Sequence, residues 1–568
     1  MARNGARWHD RDTMNMTDYE ATRRSFRLRI PPDFSYTRDV VGAWAASHPE
    51  KVALVAVGPG GQHRRELTFA DLWRASNRVA NALAGLGAAP GERAFVMLPR
   101  IPEWHEVMLG MASAGVVLMP ATVQCTPNDV AYRVGRAEAT IAVTDTEGAV
   151  KVAEALPRCP TLRHLVVVGE PPGEGWRTFD ELVAAASDRP PALRPTSKDD
   201  PLLIYFTSGT VSYPKMVLHT HASCGAGHEI TARFWQDLTP RDLHWTISDT
   251  GWAKAAWGKL FGQWRLGAAV FLWDQRGKFD AELCLRILER SGVTTFCAPP
   301  TLYRTFVHEE LAAFDLSRIR HAMSAGEPLN PAVIERWRAA TSLTIYDGYG
   351  QSETVSLVAN YRCLPVREGS MGKPTPTFDV DVVDEEGGRL LPGVEGHIAV
   401  RTDPERPVGL MAGYWRDEAA NAEAFHDGWY FTGDRARRDE DGYLWFVGRA
   451  DDVITSGAYR IGPFEVESAL IAHPAVAESA VVGKPDPERT EIVKAFVVLA
   501  PGWEPSDALV RELQAHVKRV TAPYKYPREI EFVDELPKTV SGKIRRVALR
   551  QMEQQRALEA AGAAASRR

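Results

Sequence analysis

"LIYFTSGTVSYPKMVLHTH" spans Leu203–His221. The apolar run 202–206 leads into four small residues, Thr207, Ser208, Gly209 and Thr210, with Lys215 a few positions on. Small residues let backbone N–H groups approach an anion, hydroxyls donate to it, and a lysine supplies charge. The stretch therefore has the chemistry of a phosphate-holding loop. It is not the strong Gly-x-x-x-x-Gly-Lys-Ser/Thr motif, because no second glycine stands between Gly209 and Lys215. Both flanks read as strands, so the loop joins two strands instead of opening a helix, and no helix dipole assists it. On pattern alone a solvated Ser/Thr turn is the favoured reading. The surrounding chain has to decide.

Outward from this stretch, short β-branched runs alternate with helical patterns. "KVALVAV" (51–57) reads as a strand and "TFADLWRASNRVANALAGLG" (68–87) as a helix closed by glycine. "RAFVMLP" (93–99) and "PEWHEVMLGMASAG" (102–115) repeat the pair, and "TIAVTD", "HLVVVGE", "AAVFLW" and "TTFCAP" continue it. This alternation predicts parallel α/β sheets. From about Thr375 the texture becomes strand–turn–strand, which suggests a small antiparallel barrel. From Ile461 the order helix, strand, strand, helix, strand predicts a small α+β domain.

At 568 residues the chain is too long for one core. A net charge of -6 leaves no basic excess to neutralise nucleic-acid phosphates, so nucleic acid is not an expected partner. Six scattered cysteines without a C-x-x-C pair read as reduced thiols in a cytoplasmic protein, with no zinc site. No apolar run is long enough for a bilayer. The N-terminus has no apolar signal segment, and acids interrupt its arginines, so a loose tail is expected there, not a transit peptide.

Downstream of the loop stand "SAGEPLNP" (324–331), "YDGYGQSET" (346–354), "WYFTGD" (429–434), "GRADDVITSGAYRIGPFEVE" (448–467) and "PKTVSGKIRR" (537–546). In this order, from about residue 35 to residue 550, the segments resemble the adenylate-forming superfamily. "LPRIPEWHEVMLG", "SDTGWAKAAWGKLFGQW" and "HVKRVTAPYKYPREIEFVDELPKTVSGKIRR" bring it nearest to medium-chain acyl-CoA synthetases. The resemblance implies a tail over 1–34, an adenylation domain of two α/β sheets plus a β-barrel over 35–450, a mobile α+β lid over 451–551 and a tail over 552–568. It implies an ATP-dependent acid:CoA ligase that passes through acyl-AMP.

The resemblance also assigns roles. Thr207, Ser208, Gly209, Thr210 and Lys215 form the phosphate loop, in which Val211 and Ser212 replace the family's usual hydroxyl and glycine. Gly326, Glu327 and Pro328, then Asp347, Gly348, Tyr349, Gly350, Gln351 and Ser352, lie along the adenine, with Gln124 as a further nucleotide contact. Glu353 ligates Mg²⁺, a hard cation that takes oxygen ligands. Asp434 accepts ribose hydroxyls, and Arg449 fits a second ribose or phosphate contact. Lys543 bridges the α-phosphate and the attacking carboxylate, and acylation would switch it off. Asp451 marks the hinge. Gly457, Ala458, Tyr459 and Arg460 belong to the CoA side. Arg489, Lys525 and Arg528 are basic candidates for the CoA phosphates, with solvated surface charge an equal reading. Gly350 stands where acetate-specific relatives carry tryptophan, so an open acyl pocket is expected. Trp252, Trp257 and Trp264 repeat at helix-like spacing beside it and are candidate walls, although core packing is the stronger reading for at least two of them. The expected partners are ATP, CoA and a medium-chain fatty or aryl acid. A homo-oligomer is compatible with the family.

Two other readings stay open at this level. An acyl-AMP ligase would load a carrier-protein thiol, and a non-catalytic sensor would keep the fold without turnover. Acid-dependent ATP–pyrophosphate exchange separates enzyme from sensor, and CoA-dependent AMP release separates ligase from carrier loader.

Overall fold

A computed structural model describes residues 14–192, 196–207, 214–327, 329–456, 459–486, 489–539 and 543–565. The opening stretch forms an antiparallel pair, Pro201–Thr207 against Lys215–Thr220, with Thr207 opposite Lys215. Strands thus flank residues 208–213 on both sides, as predicted. This pair sits in an eight-stranded sheet beside the parallel strands Val117–Pro120, Arg93–Met97, Ile141–Asp145, His164–Val168 and Trp176–Thr178.

A second sheet has nine strands. Its parallel centre is Ala269–Trp273, Leu243–Thr246, Thr295–Ala298, His321–Ala325 and Ile345–Tyr349. Ligands in such sheets bind beyond the carboxyl ends of the strands. Here Asp249, Gly326, Glu327 and the segment 350–353 all follow those ends directly. Local chemistry sets the helix limits. Pro102 opens Pro102–Ala114, and Gly115 ends it at φ 72°. Thr68 and Asp71 form a capping box at the start of Phe69–Gly85.

In the barrel region a third sheet is antiparallel and five-stranded, built on the long strand Trp429–Arg438. The small domain follows the predicted order: Pro463–Ile471, Val476–Asp486, Thr490–Leu499, Asp507–Val520 and Glu529–Phe532. Ile454, Leu470, Val481, Val493, Leu513 and Val517 fill its core.

Both expected tails are corrected where they are described. Met16 and Tyr19 are buried, Tyr19 donates to the Pro374 carbonyl at 2.6 Å, and the Asn15 amide donates to Asp237 at 2.7 Å. Each contact spans over two hundred residues of sequence, so local pattern carried no sign of it. At the other end the helix Arg546–Ala565 continues past residue 552. Glu553 is buried on Lys494 at 2.8 Å, and Arg556 reaches Glu531 and Glu553, both at 2.7 Å. No described helix is long and apolar enough to cross a membrane.

Candidate active site

The segment after Ile345–Tyr349 organises the site. The Tyr349 hydroxyl and Gln351 Nε2 both donate to Asp434 Oδ2 at 2.6 Å, while Arg449 Nε stands 3.6 Å from Oδ1. Burial raises the Asp434 carboxyl, and Arg449, its two donors and Lys543 pull against that rise. Gln351 is fixed further by the Tyr430 hydroxyl at 2.9 Å. Adenine-side and ribose-side candidates far apart in sequence thus meet in one hydrogen-bonded cluster.

Glu353 is buried. Its Oε1 accepts from the Tyr414 hydroxyl at 3.0 Å and its backbone carbonyl from Met411 N at 2.8 Å. Burial raises its carboxyl. His219, two residues beyond Val217 on the lysine-bearing strand, supports the same segment. Burial lowers its pKa to about 4, so the ring is neutral and Nε2 donates to the Ser352 carbonyl at 2.7 Å. Lys215 Nζ lies 4.8 Å from the Tyr414 ring centre and 3.7 Å from Glu423. Neither Tyr414 nor His219 was singled out in the sequence, where no local signal marks them.

Asp347 is buried, and its Oδ1 has no hydrogen-bond partner among the described residues. Burial pushes its carboxyl up to about 8, against the pull of Lys254, whose own pKa burial lowers. Lys254 Nζ donates to the Ala325 carbonyl at 2.8 Å, ahead of Gly326 at φ 109°. A pH prediction follows from Asp347. Below its ordinary value near 4 the carboxyl is protonated in both states. From there to about 8 only the unfolded chain ionises, so stability falls by about 1.4 kcal/mol per pH unit. Asp347→Asn should remove that share of the slope in denaturant unfolding between pH 5 and 8. Parallel curves for the two proteins would show an ionised Asp347 in the fold.

Gly348 and Gly350 lie two apart on one face of an extended segment. A Cβ at Gly348 would come 2.6 Å from the Trp235 indole, and one at Gly350 would come 2.4 Å from Trp257. This corrects the expected open pocket. The space left by Gly350 is taken by the Trp257 ring, which packs edge-on to Trp235 at 6.0 Å. Trp252 is half-buried at the start of Ala253–Gly258. Trp264 belongs to the core: it is fully buried in a separate helix and donates to the Ala53 carbonyl at 2.9 Å.

Other assigned residues are less central. Glu327 pairs with Arg304 at 3.3 Å, and Gln124 is exposed on the loop after Val117–Pro120. Ser208, Gly209, Thr210, Pro328, Gly457 and Ala458, with the Val211 and Ser212 departures, lie outside the described residues.

The small domain brings Lys543 to this cluster. The side chain is exposed, and its charge acts on Asp434 and on Lys254. Asn330 Nδ2 donates across the domains to the Ser468 carbonyl at 3.1 Å. Asp451 lies in an exposed turn, and the neighbouring buried Asp452 holds Arg550. On the CoA-side segments Tyr459 stacks on Tyr524 at 4.3 Å, Arg460 lies in Tyr459–Ile461, and Arg489 is exposed. Lys525 is tied to Glu465 and largely covered. Lys518 and Arg528 share the Tyr526 ring, at 3.8 and 5.4 Å, so Lys518 joins this basic group although the sequence reading passed over it.

The model for the AMP-binding enzyme matches residues 41–415, and the model for the AMP-binding enzyme C-terminal domain matches 465–543. The chain belongs to the AMP-binding enzyme family. Among relatives of this AMP-binding enzyme is the mitochondrial acyl-coenzyme A synthetase ACSM3 of Pongo abelii. It is 44% identical, and the match covers 95% of this chain and 93% of the relative. The mitochondrial acyl-coenzyme A synthetase ACSM5 of Homo sapiens is 45% identical over 93% and 92%. Among solved structures, the anthranilate CoA ligase AuaEII in complex with anthranoyl-AMP superposes with a TM-score of 0.85 at 30% identity, covering 93% of this chain and 99% of that one. A benzoate CoA ligase from Burkholderia xenovorans LB400 gives 0.79 at 29%, covering 91% and 100%. This AMP-binding enzyme is an ATP-dependent, AMP-forming acid:CoA ligase.

Proposed function

We propose that this ligase activates a medium-chain fatty or aryl acid, and that the acid lies against the Trp257 face. The observation that carries this is the contact of Gly350 with the Trp257 ring, which is held edge-on by Trp235 and sets an indole beside the nucleotide cluster. A screen of straight-chain and aromatic acids, read as acid-dependent ATP–pyrophosphate exchange and then CoA-dependent AMP release, tests it. Saturating activity on acetate alone would refute it. Gly350→Ala, which forces a methyl against the ring and against the Val355 carbonyl at 2.6 Å, should lower kcat/KM most for the longest acids. An even loss across all acids would place the pocket boundary elsewhere.

In the first half-reaction the strand pair 201–220 presents Lys215 to the phosphates. Asp434, with Oδ2 already engaged, turns Oδ1 to the ribose, and Lys543 neutralises charge between α-phosphate and carboxylate. Among the described residues no three acids, histidines or cysteines cluster into a metal cage. One buried carboxylate, Glu353, fits a Mg²⁺ that arrives on the nucleotide's phosphates and keeps most of its other ligands. Bound there, the ion would neutralise phosphate charge. In the second half-reaction the small domain turns about Asp451 and offers the Tyr459 side to CoA. Acylation at Lys543 is proposed as a control on the first step, supported by that side chain's exposure. A cytoplasmic location is proposed on the six unpaired cysteines, five of them buried, and is tested by cell fractionation.

A further inference from the structure

Tyr414 touches both charges that a metal-bound triphosphate requires. It lies in Gly413–Tyr414, the antiparallel neighbour of Lys215–Thr220, opposite Val217. Its hydroxyl donates to Glu353 Oε1 at 3.0 Å, and the face of its ring carries Lys215 Nζ at 4.8 Å. The tyrosine is itself held in place. Its backbone N–H donates to Asn421 Oδ1 at 2.7 Å, and Asn421 Nδ2 donates back to its carbonyl at 2.9 Å. Gly413 stands at φ 147°, where a Cβ would come 2.8 Å from Asn421 Oδ1, so a side chain there would disturb the clasp.

A buried phenol needs an acceptor, and that need alone would explain a bond to a nearby carboxylate. It does not explain why the same side chain supports Lys215 by cation–π contact, nor why two reciprocal bonds immobilise it. We propose that Tyr414 is a positioning residue for the metal–triphosphate: its hydroxyl aims Glu353 at the cation and its ring face aims Lys215 at the phosphates. The proposal rests on the ATP-dependent reading above.

The hydroxyl and the ring have separable consequences. Calorimetric titration of the full-length protein with Mg·ATP, and with ATP in EDTA, distinguishes them without turnover. Tyr414→Phe keeps the ring and loses the bond to Glu353. It should weaken Mg·ATP binding about tenfold, the scale of one hydrogen bond to a charged group, and leave metal-free ATP binding unchanged. Tyr414→Leu loses both parts and should weaken both titrations. Should Tyr414→Phe not fold, Asn421→Ala loosens the clasp that holds both hydroxyl and ring, and it should show a smaller loss in both titrations, greater with Mg·ATP. Equal losses with and without metal in Tyr414→Phe, or no loss in any variant, would overturn the role. If the unaltered protein bound no ATP in either titration, the ATP reading itself would fail.

Discussion

Lys543→Ala should lose acid-dependent ATP–pyrophosphate exchange by about two to three orders of magnitude, the scale seen when one donor to developing transition-state charge is removed. Thioester formation from supplied acyl-AMP should be largely spared. The reason is positional. The Lys543 side chain is exposed and packs no core, so its removal should not disturb folding. Its charge acts on buried Asp434, which places it at the nucleotide end of the cluster in the arrangement described. In the proposed two-face cycle the small domain turns after adenylation and the lysine leaves. Stopped-flow measurement of both half-reactions in one preparation checks this. An equal fall in both would mean that Lys543 supports domain closure generally and that the two-face model is wrong for this protein.

Asp434→Ala should raise the KM for ATP in the exchange assay by roughly two orders of magnitude, since two charge-assisted bonds to a ribose are each worth about 1.5–3 kcal/mol and only part is recovered by water. The KM for pyrophosphate should not move. The same change strands Arg449 beside an empty position, leaves the Tyr349 hydroxyl without its Asp434 acceptor and leaves Gln351 Nε2 on the Thr432 carbonyl alone. A drop in Tm should therefore accompany it, because a buried hydroxyl donor left without its acceptor is costly. If both Michaelis constants rose together, Asp434 would be organising the whole cluster and not the ribose end alone.

What was legible in the sequence was local. Pro102 and Gly115 bracket a helix because each acts on its own backbone, and the element order after Ile461 follows from hydrophobic period and turn residues. Lys215, Glu353, Asp434 and Lys543 were legible through motifs, which record spacing that a loop must keep. What stayed hidden depends on partners far along the chain. Tyr414 meets Glu353 across 61 residues, and Asn15 meets Asp237 across 222. The expected void at Gly350 failed for the same reason. A missing side chain is visible in one dimension, but that the ring fills its place depends on how Trp257, in the distant helix Ala253–Gly258, packs against the segment after Ile345–Tyr349.

That filled place constrains how selectivity can change over evolutionary time. With Trp257 lying 2.4 Å from where a side chain at position 350 would begin, enlarging residue 350 first is a step into a clash, and the intermediate is penalised whatever the final pocket would bind. Shrinking Trp257 first opens a cavity, costing about 3–5 kcal/mol, yet it removes the nearest obstacle, after which only the Val355 carbonyl, 2.6 Å from the same point, has to give for a second substitution to fill the gap. A passage between long and short acids is therefore ordered: the tryptophan must yield before the glycine can be replaced. A library that varies the two positions together should recover compensated pairs that neither single-site library contains.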